Sequence, residues 1–167
     1  MTKYSYAAQL IRKYKRNGLI IDTNLLILII VGSFDPKIIP RFKRTSKYLE
    51  DDFSLMINFI KFFDNIITTP NILTETCNLS LNLNFETENG LYRTFAKIIY
   101  SLRENYVTSI DLPKENAFFQ FGISDSAIIE LCKQGRLLLT DDFPLYGYVT
   151  AQGMDAINFN HIRTLNW

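Results

Sequence analysis

The sequence predicts a single-domain α/β protein with three layers, α/β/α, around a central, mainly parallel sheet. Three observations predict it. Short apolar runs of strand length, such as Leu19–Ile21 and Leu137–Leu139, alternate with stretches whose apolar residues recur every three to four positions, the period of a half-buried helix. Successive apolar runs are not joined by tight hairpins, so each strand returns through a helix, the condition for parallel pairing. The chain has 167 residues, 47% of them hydrophobic, enough for one well-buried core and too few for two domains.

Each element has its own signal. Tyr4 to Tyr14 places Tyr4, Ala7, Ala8, Ile11 and Tyr14 on one stripe, with Arg12, Lys13, Lys15 and Arg16 at its end, so residues 1–17 read as an N-terminal helix before the first strand. Gly18 to Val31, GLIIDTNLLILIIV, is the stretch around which the rest is arranged. Leu19–Ile21 is a buried strand, Asp22 stands at its carboxyl end, and Thr23 or Asn24 can cap a buried helix from Leu25 to Val31. Strand ends of an open α/β sheet form the crevice where ligands bind, although an acid there can equally be a simple helix cap.

From 32 to 52 the pattern lapses. Pro36, Pro40 and the cluster Arg41, Lys43, Arg44 and Lys47 read as a basic loop or insertion, and such a run is by default a solvated face. Phe53 to Phe63 is a helix with Leu55, Met56, Phe59, Ile60 and Phe63 inward, capped by Asp51 or Asp52. Ile66–Thr68 is a strand. Thr69 then caps a helix with Pro70 in its first position, where a missing amide hydrogen costs nothing. Ile72, Leu73, Thr76, Leu79 and Leu83 form its buried side, and Glu75 lies beside them near the helix start.

After a polar break at Asn84–Asn89, Leu91 to Leu102 is an amphipathic helix and Tyr106 to Ile110 a third strand. Pro113 to Asn116 turns the chain. Phe118, Phe119 and Phe121 read as packing residues in preference to a base-stacking surface. Ser124 caps a helix carrying Asp125 in its first turn, with Ala127, Ile128, Leu131 and Cys132 inward and Gly135 as its stop. The strand Leu137–Leu139 ends at Thr140-Asp141-Asp142. Pro144–Ala151 is a short helix, Ala156–Phe159 a last strand and His161–Trp167 a tail.

Composition narrows the chemistry. The net charge of +1 gives no global attraction for nucleic acid, so any electrostatic footprint is local. Cys77 and Cys132 lack metal-ligand spacing and fit small buried hydrophobes of a reducing, cytoplasmic setting. His161 is the only histidine, which excludes histidine-based hydrolases and zinc sites of the usual kind. The basic N-terminus followed by an apolar run resembles a signal peptide, but Asp22 and Asn24 interrupt that run and it falls short of the ~20 residues of a membrane helix. No membrane partner is expected.

Asp22, Asp125 and Asp142 each fall at a strand end or a helix start, and Glu75 follows the second strand closely enough to reach the same sheet edge. Carboxylates gathered without a basic partner repel, so the set makes sense with a hard divalent cation, Mg2+ or Mn2+. Such a site serves in-line displacement at phosphorus, pointing to a phosphodiesterase or nuclease. Replacing one of these acids by its amide should then relieve repulsion and preserve or raise stability.

The segments IIDTN (20–24), TPNILTE (69–75), ISDSAII (123–129) and LLTDD (138–142) resemble, in order and spacing, the motifs of the PIN domain family, which includes the VapC-type toxins. The resemblance runs from about Gly18 to Phe159. It implies a metal-dependent endoribonuclease that leaves a 5′-phosphate, with Asp22, Glu75, Asp125 and Asp142 as catalytic, metal-holding acids. Through a Thr-x-Asp motif it assigns the ligand role to Asp142 and leaves Asp141 as an auxiliary acid, also a candidate metal ligand, or a surface residue, milder to replace than Asp142. Asn24 and Thr140 resemble residues that orient these acids, and Ser124 stands beside them in the third motif. Relative to compact members, the N-terminal helix is extra and the segment after the first helix is long. Beside an acidic site, Arg41, Lys43, Arg44 and Lys47 become candidates for holding RNA. An antitoxin and a homodimer, through the helices at Phe53–Phe63 or Leu91–Leu102, are further expected partners. Competing readings are a phosphotransfer domain, of haloacid-dehalogenase type, disfavoured by Asn24 two places after Asp22, or of receiver type, disfavoured because neither an acidic pair ending the first strand nor a lysine after the last stands out; a scaffold or protein-binding module; and a housekeeping RNA-processing or single-stranded-DNA nuclease.

Overall fold

The computed structural model describes residues 3–80 and 85–164. Five strands, β1 (Leu19–Ile21), β2 (Ile66–Thr68), β3 (Arg103–Glu104), β4 (Leu137–Thr140) and β5 (Ala156–Asn158), form one sheet in the order β3-β2-β1-β4-β5. Every pair is parallel, with Leu19 opposite both Ile66 and Leu137, and Leu139 opposite Ile157. Residues of β1, β4 and β5 are buried throughout, because helices cover both faces and leave no polar side for an alternating pattern.

The helices are α1 (Lys3–Tyr14), α2 (Thr23–Phe34), α3 (Glu50–Ile60), α4 (Pro70–Ser80), α5 (Phe85–Ile99), α6 (Asn116–Lys133), α7 (Phe143–Ala151) and α8 (Phe159–Arg163). With the right-handed crossovers usual between parallel strands, this strand order assigns α2 to α5 to one face of the sheet and α6 and α7 to the other. In the first layer α2 packs on α3, α4 and α5; α6 packs on α7 and also meets α4. Leu25 to Gly32 are all buried, as expected of a helix apolar on every side, so α2 is the centre of its layer. No helix among the described residues is long and apolar enough to cross a membrane.

Several boundaries differ from the sequence reading. The third strand is Arg103–Glu104, an exposed edge strand; 106–110 is irregular. Helix α5 begins at Phe85, so 85–89 is not a break, while Leu83 and Asn84 lie outside the described residues, as do 165–167 of the expected tail. His161 belongs to α8. Phe118 and Phe121 do pack against the core, Phe121 edge-on to Tyr148, but Phe119 is 79% exposed. These aromatics form the first turns of α6, which kinks where Gly122 takes φ 79°. In α3 and α5, Met56, Phe59, Leu91 and Phe95 are core, whereas Phe62 just after α3 and Tyr92 and Ile99 in α5 are exposed.

The 32–52 segment is more ordered than a loop. Gly32–Phe34 complete α2, Pro36–Arg41 form a 3₁₀ turn, and Glu50 starts α3. Ile39, Phe42, Thr45 and Tyr48 are buried, while 40–41, 43–44 and 46–47 are exposed, a period of three that matches 3₁₀ geometry. The segment is an arm fastened every third residue, with its basic side chains outward. Its end is tied to α8: Arg163 makes an ion pair with Asp52, donates to the Lys47 carbonyl at 3.0 Å and lies over the Tyr48 ring. Helix α1 is fixed at the opposite, amino edge of the sheet, where Lys13 and Tyr14 bond Asp155 at 2.7 and 2.8 Å.

Gly18 joins α1 to β1 at φ 103°, and a Cβ there would stand 2.4 Å from Ile67 Cδ1. Gly18→Ala therefore combines a disfavoured backbone with overpacking and is expected to cost about 2–4 kcal/mol. Chemical denaturation checks this; a loss below 0.5 kcal/mol, on the order of a neutral surface change, would contradict the packing described.

Candidate metal site at the carboxyl edge of the sheet

In a sheet of this order the strand direction of travel reverses between β1 and β4, and the crevice opens at the carboxyl ends of those two strands. Both end in aspartate. Asp22 is the N-cap of α2 and accepts from the Leu25 amide at 2.9 Å; Asp142 is the N-cap of α7 and accepts from the Leu145 amide at 2.9 Å. The cap of α2 is thus Asp22 itself, one residue before Thr23 and two before Asn24. A cleft of about 140 Å³ lies there, lined by Asp22, Thr23, Asn24, Glu75, Leu79, Asp125, Asp142 and Leu145. The four acids expected to converge line this one cleft, and among the described residues no Lys or Arg lines it.

Each acid is placed by its element. Glu75 comes from the second turn of α4, whose start is set by the Thr69 hydroxyl accepting from the Ile72 amide at 3.2 Å with Pro70 in first position. The Thr23 hydroxyl holds Glu75, donating to its Oε2 at 2.7 Å. Asp125 follows the Gly122 kink, where α6 resumes. Ser124 is half-buried and is not among the residues bonded to the acids; the nearby serine that bonds is Ser126, to the Gly122 carbonyl at 2.6 Å.

Asp22 is the most constrained. Beyond the Leu25 amide, it accepts from the Thr140 hydroxyl and from the Asp141 amide at 3.2 Å. Burial, with the Asp141 charge next in size, raises its pKa, and the three donors oppose that rise. Three of roughly four lone-pair positions are filled, leaving about one for a further ligand. Thr140 orients Asp22 as expected, and its hydroxyl also accepts from the Asp142 amide at 2.9 Å. The amide side chain at Asp22→Asn would present a donor to donors, so that replacement is not the neutral change expected from charge repulsion alone.

Asp141 is not a surface residue: it lies outside the cleft lining, behind Asp22. Its side chain is fully buried, with one oxygen bonded by Tyr48 and paired with Lys47 and the other accepting from Asn24 at 3.2 Å. The Asn160 amide donates to its carbonyl at 3.0 Å. Asn24 therefore orients Asp141, and Lys47 is engaged by a carboxylate, unlike Arg41, Lys43 and Arg44, which make no ion pair among the described residues. Removing Asp141 would strand the buried Tyr48 hydroxyl, a cost in stability of about 1–3 kcal/mol. The sequence motifs do not single out Tyr48 or Asn160; the period of three through Ile39, Phe42, Thr45 and Tyr48 is the readable signal for the former.

The donors fit a hard divalent ion. They are all oxygens, and Asp125 is pushed up to about 7 by burial, then by the charges of Glu75 and Asp142, a repulsion that a cation would remove. Among the described residues no three acids form a ready-made cage. An open cleft suits Mg2+ or Mn2+, which keep several waters and need only one or two carboxylates.

No protein-family model matches the chain, and no curated protein is similar to it. One solved structure, described as a domain of a functionally unknown protein from Methanocaldococcus jannaschii DSM 2661, is similar at a TM-score of 0.42 and 20% identity over 84% of this chain and 89% of that chain.

The raised Asp125 pKa has a defined sign. The folded state keeps a proton that the unfolded state loses near 3.8, so this contribution is complete below about pH 4 and is lost as pH rises through about 7. Metal-free protein should melt at lower temperature at pH 8 than at pH 5. Asp125→Asn should flatten that fall and exceed wild type above pH 7 by on the order of 2–4 kcal/mol; parallel pH profiles for the two proteins would contradict it.

Proposed function

We propose that this protein is a Mg2+- or Mn2+-dependent nuclease that hydrolyses RNA phosphodiester bonds. The observation that carries the reading is the convergence of Asp22, Glu75, Asp125 and Asp142 on one cleft at the strand reversal, with no basic side chain among the described residues of its lining. The four motifs that resemble PIN domains supply these same acids, and the choice of RNA rests on that resemblance.

Asp22, Asp125, Asp142 and Glu75 would hold the ion. When bound, the ion supplies charge for the phosphoryl oxygens and lowers the pKa of an attacking water. The chain's own work is placement. The Leu25 amide, Thr140 hydroxyl and Asp141 amide fix Asp22, Thr23 fixes Glu75, and the Leu145 amide fixes Asp142. Leu79 and Leu145 give the cleft apolar walls that limit water around the reacting group. The exposed Arg41, Lys43 and Arg44 project from the arm whose far end reaches Asp141, so they are offered to the phosphate backbone of a substrate entering from that side. The scaffold reading fares less well, since a binding module has no use for mutually repelling carboxylates in a cleft.

Purified protein with Mn2+ should cleave RNA, and Asp125→Asn or a chelator should reduce the rate at least ~100-fold. Wild-type protein that cleaves neither RNA nor single-stranded DNA and binds no Mn2+ would overturn the reading. Alanine at Arg41, Lys43 and Arg44 together should weaken RNA binding and lower the slope of log affinity against log salt by about 0.7 for each phosphate no longer neutralised. An unchanged slope would remove the arm from the binding surface.

A further inference from the structure

We propose that Tyr48, with Lys47, is a positioning residue for the acidic cleft, acting through Asp141 on the Asp22 carboxylate; the inference rests on the metal-site reading above. The links are continuous. Tyr48 ends the run of buried residues, three apart, that fastens the arm, and its hydroxyl reaches 93 residues along the chain to a buried Asp141 oxygen, to which the Lys47 ammonium is also paired. Asn24 holds the other oxygen, and Asn160 the carbonyl. With both oxygens and the carbonyl of Asp141 held, its amide is aimed at Asp22 Oδ2, the oxygen that Thr140 also bonds.

The ring of Tyr48 has independent support: it is fully buried, tilted against Phe159 with centroids 6.1 Å apart, and covered by the Arg163 guanidinium at 5.1 Å. Packing alone would be served by phenylalanine at this position. The hydroxyl is what adds a link to the site, and groups that orient metal ligands from behind commonly change metal affinity or activity 10–100-fold when removed. Lys47 contributes from a side chain that is 52% exposed, so its share is the smaller one.

Tyr48→Phe keeps the ring and removes the link. In the metal-free protein, hydrogen exchange of the Asp141 amide should quicken at least ~10-fold while the β1 amides exchange as in wild type, and Mn2+ affinity measured by calorimetry should fall about 10–100-fold. Lys47→Gln should move both in the same direction by less, and Lys47→Arg should restore wild-type values. Wild-type exchange at Asp141 in Tyr48→Phe would overturn the inference, as would faster exchange with unchanged Mn2+ affinity, which would make the contact purely structural. If wild-type protein and Asp125→Asn bind Mn2+ equally poorly, the metal-site reading fails by itself, and the exchange data still judge the link between Tyr48 and Asp141.

Discussion

A buried carboxylate at the seam of two parallel strands is the constraint on which this structure depends. Asp22 closes β1, caps α2 and accepts a hydroxyl and an amide from the end of β4. An ionised acid taken out of water is unfavourable unless donors surround it, and these three donors arrive only if β1 and β4 pair in register and α2 starts where it does. The fold and the cleft are therefore one arrangement: the contacts that make Asp22 tolerable also fix the edge to which Glu75, Asp125 and Asp142 are brought.

The charge layout follows the same logic. A chain of net charge +1 separates its charges locally, with acids lining the cleft and Arg41, Lys43 and Arg44 outward on the arm. Asp141 and Lys47 mark the boundary between the two regions. Their ion pair joins the arm to the acidic edge without placing a cation inside the cleft, which keeps the repulsion among the acids available to a divalent ion.

Much of this is legible in the sequence, for reasons that differ by residue. Asp22 and Asp142 are readable because fully apolar strands end abruptly at an acid, and Glu75 because Thr69-Pro70 fixes where its helix begins. Asp125 is readable as a first-turn acid, although the helix resumes after the non-helical Gly122, two residues before Ser124, the cap that the sequence suggests. The third strand escapes a pattern reading because Arg103–Glu104 is an exposed edge of two residues with no apolar pattern, while Tyr106–Ile110 has strand-like composition but joins no strand of the sheet. The place of Asp141 is hidden because its partners, Tyr48 and Lys47, are about 93 positions away, on an arm whose period of three is neither that of an α-helix nor that of a strand.

Crystals soaked in manganese test most directly whether the four acids hold a divalent ion while Asp141 stands aside. One or two anomalous peaks are predicted within the cleft bounded by Asp22, Glu75, Asp125 and Asp142, with Asp141 still bonded to Tyr48 and Lys47. Crystals at saturating manganese with no peak in the cleft, or with the ion seated on Asp141 in place of Lys47, would contradict it.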